Sequence, residues 1–346
     1  MKRFLMVIVM LSFLAVPVRA MDFSAPPAPD AAMEYLPEKT EDFGDGLRFV
    51  LKSAISAVRP EIVEAAAVCL TLIATVLLVS IVANISDNAK NAIQLTGTAV
   101  LAITLFRPAN TFIKMGAETV KQVSQYGKIL LPVLTGAMAA QGGITKSGAL
   151  YAATAFFDAL LSEGIAVVLI PMVYLYLSVC VTSNLFPQPI LTNLRNLMKW
   201  LISWSLKTVL YVFTGYISIT GVVGGATDAT MLKATKLTIS GMVPVVGGVL
   251  SDASEAVLVS AGIMKNAAGV YGLLTVIALW IGPFLRIGVQ YLMLKITAGI
   301  CQMFGTKQMS EIINDFSGAM GFLLAMTAAV CLIFIISTIC FMKGVG

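Results

Sequence analysis

The chain has 346 residues, of which 58% are apolar and 12% charged, with a mean hydropathy of +0.91 and a formal net charge of +5. Ordinary soluble domains carry about a quarter charged residues, so this is the composition of an all-α, polytopic helical membrane protein with little chain left for a separate globular domain. The thin positive charge does not suggest a nucleic-acid partner. The lack of histidine removes the usual general base and the commonest metal ligand, so neither enzymatic chemistry nor a cofactor is expected.

Residues 1–20 have the parts of a secretory signal: Lys2-Arg3, an apolar core from Phe4 to Val16, and Val18-Arg-Ala20 as a cleavage site. Cleavage there leaves the N-terminus outside the cytoplasm. Residues 21–60 hold Pro26, Pro27, Pro29, Pro37 and many acids, and read as an acidic, solvated leader with too few large apolar side chains to offset chain entropy. The polytopic membrane domain is then 61–346.

A crossing needs roughly 20 apolar residues, and seven stretches qualify in whole or part: 65–85, 92–106, 165–181, 205–225, 267–285, 287–304 and 319–342. Starting outside, this count puts the C-terminus in the cytoplasm and Arg195, Lys199 and Arg286 in cytoplasmic turns, as the positive-inside rule prefers. The same count leaves Arg107, Lys114, Lys121 and Lys128 on the outside, against the rule. These four are spaced by seven, which on a helix makes a narrow stripe drifting only about 20° per heptad. With Pro108 suited to a first turn, 108–128 reads as an amphipathic helix lying on the bilayer, its stripe meeting lipid phosphates or an acidic partner. A second interfacial helix is expected near 190–204, where Leu191, Leu194, Leu197, Met198, Leu201 and Ile202 oppose Arg195 and Lys199, and Trp200 and Trp204 mark the interface.

Between 226 and 266 the apolar runs are too short to cross alone, and a re-entrant hairpin over 237–264 fits, turning at Gly247-Gly248. Asp252, Glu255 and Lys265 sit in this glycine-rich apolar sequence with Asp228 nearby. An ionisable group at membrane depth costs roughly 2.5–3.5 kcal/mol on insertion scales, so these six positions are the candidate polar seam, lining a conduit or forming an ion-paired knot that fixes helix register. Val222-Val-Gly-Gly225 before Asp228 echoes Val245-Val-Gly-Gly248 before Asp252, the kind of weak internal symmetry transporters show. Asp158, Asp228 and Asp252 could in principle pair as an intramembrane protease dyad, but none carries a supporting local signature. No phosphate-binding Gly-x-x-x-x-Gly-Lys-Ser/Thr loop is present, and the five cysteines fall in or beside apolar runs as small buried residues.

The run Val243-Pro-Val-Val-Gly-Gly248, with Ser251-Asp-Ala-Ser-Glu255 and Lys265-Asn-Ala-Ala-Gly-Val-Tyr-Gly272, resembles the stage III sporulation protein AE family of endospore-forming bacteria. Phe186-Pro-Gln-Pro-Ile-Leu191, Lys199-Trp-Leu-Ile-Ser-Trp-Ser-Leu-Lys207, Thr214-Gly-Tyr216 and Gln290-Tyr-Leu-Met-Leu-Lys295 follow in the family's order, covering about 165–300. The resemblance implies a multi-pass protein of the mother-cell membrane around the forespore. It further implies a place in a channel or secretion-like complex with the other proteins of its operon: an ATPase, ring-forming proteins and small membrane subunits. Through that complex it implies a link to the forespore's stage II sporulation protein Q. The alternative reading is a self-contained secondary transporter or permease.

Overall fold

The computed structural model describes residues 26–37, 43–85, 89–140, 144–219, 267–304 and 307–343. Among them there is no strand, as the composition requires. The helices are α1 (Asp30–Met33), α2 (Phe43–Ile85), α3 (Lys90–Ala140), α4 (Ile144–Gly164), a π-helical turn (Ile165–Leu169), α5 (Ile170–Leu185), α6 (Pro189–Ile219), α7 (Ala267–Phe304) and α8 (Lys307–Lys343). Among the described residues, five stretches are long and apolar enough to cross a membrane: Phe43–Ile85, Lys90–Ala139, Ser147–Leu185, Ala268–Phe304 and Lys307–Met342.

Several elements that the sequence divides are continuous. The expected spans 267–285 and 287–304 form the single helix α7, which runs through Pro283. Arg286 is therefore not in a turn: it sits in mid-helix, half-buried, with Nε 3.5 Å from Glu61 Oε1 on α2. A stripe of Ile277, Ile281, Phe284, Ile287, Tyr291 and Leu294 buries one side of α7 on both sides of the proline, and packing of that extent outweighs one missing backbone hydrogen bond. Likewise 92–106 and 108–128 belong to α3, which passes through Pro108 and Pro132. The interfacial segment near 190–204 and the start of the expected span 205–225 are one helix, α6. In the column Ser147–Leu185 the π-helical turn ends two residues before Pro171, whose ring would otherwise press on the carbonyl one turn back.

The expected solvated leader contains buried positions. Phe43, Leu47, Val50, Ala54 and Val58 recur at helical spacing on the first turns of α2 and are buried. Ahead of them, Ala28, Ala32 and Tyr35 pack against the bundle, and the Tyr126 hydroxyl donates to the Pro26 carbonyl at 3.4 Å. The signal segment 1–20 and the hairpin 237–264 lie outside the described residues.

Helix α8 is the hub, packed against α3, α4, α5, α6 and α7. With α7 it forms an antiparallel hairpin: Ser310 Oγ donates to the Ala298 carbonyl at 2.9 Å, Ser317 Oγ to the Tyr291 carbonyl at 3.2 Å, and Gly269 meets Met342 at the far end. With α3 it runs parallel, since Phe106 stacks edge-on against Phe316 at 5.8 Å, Gly116 faces Leu323 and Gly127 faces Phe334. The α4–α5 column is antiparallel to both, with Thr154 bonded to Ser337 at one level and Tyr176 to Asp315 at the other. Small residues set the closest approaches: a Cβ on Gly127 would enter the Phe334 ring, and one on Gly272 would lie 2.5 Å from Leu130. All five cysteines are buried and free.

Candidate functional site

Two sets of charged residues stand out, and they differ in what surrounds them. The first is on α3. Its buried side carries Leu105, Ala109, Ile113, Val120, Val123 and Leu130, facing the bundle. Its exposed edge reads Arg107, Thr111, Lys114, Glu118, Lys121, Gln125 and Lys128, alternating steps of four and three, so one straight seam of the helix is polar throughout. Within it Lys121 Nζ lies 3.9 Å from Glu118 Oε2. All four cations singled out from sequence are thus brought onto one face.

Their depth follows from the α3–α8 pairing. Residues 112–135 of α3 run beside the apolar run 319–342 of α8, which places Lys114, Lys121 and Lys128 alongside that apolar stretch. At 1.5 Å per residue the seam from 107 to 128 is about 31 Å long, comparable to a hydrocarbon core of roughly 30 Å. The helix packs lengthwise along α8 and forms part of one of the stretches long and apolar enough to cross a membrane. Cations near the ends of such a seam can snorkel, but Lys121 sits near the middle; facing lipid, Lys114 and Lys121 together would cost about 6 kcal/mol on insertion scales. That equals the whole folding stability of many domains. Asp30 and Glu34 on α1 are exposed too, and the neighbouring Tyr35 packs on Gly282, between the two levels at which α7 meets Met342 and Gly321 of α8.

The second set is buried at the end of the bundle where α5 stops and α6 and α8 begin. Asp315 is 2% exposed; its Oδ2 accepts from Arg195 Nη1 at 2.9 Å and Asn184 Nδ2 at 3.2 Å, and its Oδ1 from Lys199 Nζ at 3.2 Å and the Tyr176 hydroxyl at 3.3 Å. Glu311 adds a second carboxylate 3.6 Å from both Arg195 and Lys307, and Lys199 lies over the Tyr176 ring, 5.5 Å from its centre. Burial alone would lower the Arg195 pKa; the charge and hydrogen bond of Asp315, joined by smaller contributions from Cys180 and Glu311, together outweigh this and hold it above the usual value. The polarity of α6 is consequently inside out. Arg195 turns inward, while Ile190, Leu194, Leu197 and the stacked Trp200–Trp204 pair face outward, as a lipid-facing helix requires. Neither Asp315 nor Glu311 was singled out from sequence, because both precede the apolar run of α8 and resemble loop acids.

Asp228, Gly247, Gly248, Asp252, Glu255 and Lys265 lie outside the described residues. Among the described residues no group of three or more Cys, Asp or Glu side chains is placed to hold a metal ion.

An α-helical bundle in which five helical stretches of the described residues are long and apolar enough to cross a bilayer, with a buried charged cluster and a polar seam along α3, defines the class: an α-helical membrane protein. The sequence profile of the family described as Stage III sporulation protein AE matches residues 38–346, and the chain belongs to that family. It is similar to the Stage III sporulation protein AE of Bacillus subtilis (strain 168), with 23% identity over 275 residues that cover 77% of this chain and 69% of that one. No solved structure matches the chain.

Proposed function

We propose that this chain is a membrane component of a mother-cell-to-forespore, secretion-like channel complex required for forespore development, and that the polar seam of α3 forms part of the wall of its conduit. Family membership supports the sporulation role. The seam is the observation that carries the conduit: seven consecutive exposed positions at membrane depth are polar, and such positions are stable only against water or another polar surface. Energy would come from the operon's ATPase, with ring-forming proteins and small membrane subunits as further neighbours and the forespore's stage II sporulation protein Q reached through the complex. The chain itself acts without catalysis. Lipids cover the apolar exterior of α2, where Leu70, Leu78, Ile81 and Ile85 are exposed.

Orientation follows from the charges. Arg195, Lys199 and Lys307 gather at one end of the bundle, which the positive-inside rule assigns to the cytoplasm. Helix α2 runs parallel to α7, through Glu61–Arg286 and Cys69–Thr297, so it starts at the end where α8 finishes. Both termini of the described bundle then lie outside, in place of the cytoplasmic C-terminus that seven crossings imply. The residues Asp228, Gly247, Gly248, Asp252, Glu255 and Lys265 remain a candidate second wall of the same conduit.

The test is deletion of the gene in its spore-forming host, scored by forespore microscopy and a late forespore transcription reporter. Arrest after engulfment with a silent reporter, rescued by the intact copy but not by a copy carrying Lys114→Gln and Lys121→Gln at normal protein level, is the expected result. Normal spores in the deletion strain would overturn the sporulation role. Full rescue by the double variant would overturn the wall assignment, and solute transport by the purified chain alone would favour a self-contained transporter.

A further inference from the structure

Asp158 on α4 is a buried carboxylate that neither the ion cluster nor the α3 seam uses. It is 1% exposed, and it lies at the level of Ser124 on α3, near the middle of the apolar run of α8. Its Oδ2 is 2.7 Å from Ser124 Oγ, which is 3.4 Å from Ser162 Oγ; Ser162 Oγ in turn donates to the Ala159 carbonyl at 3.5 Å. Its Oδ1 is buried and has no hydrogen-bond partner.

Charge balance around it is poor for an ionised group. Among the described residues, Lys128 on α3 is the charged side chain that acts on it electrostatically, and its side chain is exposed at the end of the polar seam instead of bonded to the carboxylate. Helix α8 offers no Asp, Glu, Lys or Arg from Phe316 to Met342; its contribution is Ser337, bonded at 2.7 Å to Thr154 one turn away from Asp158. Helix α6 brings Lys207, Tyr211 and Tyr216, and α4 itself carries the exposed Glu163. A carboxylate at this depth with one oxygen orphaned is strongly disfavoured against the neutral acid. The acid resolves the geometry: Oδ2–H donates to Ser124 Oγ across the same 2.7 Å, Ser124 donates on to Ser162, and Oδ1 becomes a carbonyl oxygen, the least costly group to leave unpaired.

We propose that Asp158 is a proton-binding site in the membrane interior, held as the carboxylic acid and exchanging its proton with the exposed edge of the bundle through Ser124 and Ser162. Loss of the proton leaves the carboxylate with Ser124 Oγ–H as its donor and passes H⁺ to the half-buried Ser162 side, from which water takes it; no other reactant is needed. This site rests on geometry within one chain and does not depend on the channel reading.

The experiment treats the full-length purified protein in detergent with dicyclohexylcarbodiimide, which reacts with protonated carboxyls in apolar surroundings, and maps the adduct by peptide mass spectrometry from mildly acidic to alkaline pH. Labelling at Asp158 that falls as pH rises, and is lost in Asp158→Asn, is expected. Because a buried acid could escape the reagent, pH-difference infrared spectra are recorded on the same samples, and a protonated-carboxyl stretch that vanishes in Asp158→Asn supports the proposal even without the adduct. Absence of both signals means that Asp158 is ionised and overturns it. Protection by sodium at constant pH would overturn it in favour of a monovalent-cation site.

Discussion

Replacing Asp315 by asparagine keeps its shape and removes its charge, and the consequence can be worked through partner by partner. Arg195 has a side chain only 13% exposed and loses its closest anion; Glu311, 3.6 Å away and 37% exposed, remains as a weaker one. Lys199, itself 37% exposed, can turn toward water. Stranding a buried charge costs roughly 3–5 kcal/mol when nothing compensates, so with Glu311 still present and Lys199 free to rehydrate the loss should be about 3 kcal/mol. At 1.4 kcal/mol per tenfold that is roughly a hundredfold in the folding equilibrium. The assay is reversible unfolding in mixed micelles by titrating in a denaturing detergent, followed by circular dichroism. Glu311→Gln serves as the reference and should lose under about 1 kcal/mol, as partly exposed pairs do. Combining Asp315→Asn with Arg195→Gln should recover part of the sum, since residues in one network couple by about 0.5–3 kcal/mol. A change within about 0.5 kcal/mol for Asp315→Asn, or strict additivity in the cycle, would refute the view that Asp315 pins α5 and α6 to α8.

Gly127→Leu should destabilise by about 1–3 kcal/mol, because the added side chain enters the buried Phe334 ring, whereas Gly299→Ala, with open space around it, should be neutral or gain up to about 1 kcal/mol; thermal stability in detergent reads both. Lys114→Gln with Lys121→Gln should leave folding stability within about 0.5 kcal/mol while abolishing sporulation, a split measured by unfolding and spore counts on the same strains. A reporter enzyme that is active only outside the cytoplasm should be active when fused after Lys343; activity confined to a fusion at the α5–α6 turn would reverse the orientation. Asp252→Asn and Lys265→Met should stop sporulation at normal protein level if those residues line the conduit, and immunoblots showing loss of the protein itself would favour an ion-paired knot.

Much of the helical content was legible because it depends on local composition: the apolar runs of α2, α5, α7 and α8 are longer than a soluble core needs. The heptad spacing of Arg107, Lys114, Lys121 and Lys128 also told correctly that they share a face. It could not say what the opposite face packs against, because a stripe has the same period whatever the helix's surroundings. The pairing with α8 comes from contacts such as Phe106–Phe316, between residues far apart in the chain. Two local signals misled. Pro108 reads as a helix start, since in water a broken hydrogen bond and a ring clash end a helix, and the charge of Arg286 reads as a turn between two spans; in this bundle the apolar faces of α3 and α7 continue past both positions, and Arg286 meets Glu61 on α2. Asp315 was illegible for another reason. Its partners Arg195, Lys199 and Asn184 are 116 to 131 residues earlier, and nothing local distinguishes an acid that will be buried from one in a loop. The inward turn of Arg195 follows from the same pairing, so the amphipathic pattern of α6 was seen but assigned to the wrong surroundings.

Membership of a channel complex is tested most directly by isolating the tagged chain from sporulating cells in mild detergent after crosslinking, with the crosslinked peptides identified by mass spectrometry. The operon's ATPase and ring-forming proteins should be recovered with it, and crosslinks from Lys114 and Lys121 should reach another copy of the chain or another subunit of the complex. A chain recovered alone, with those lysines unlinked and sporulation otherwise intact in the tagged strain, would contradict it.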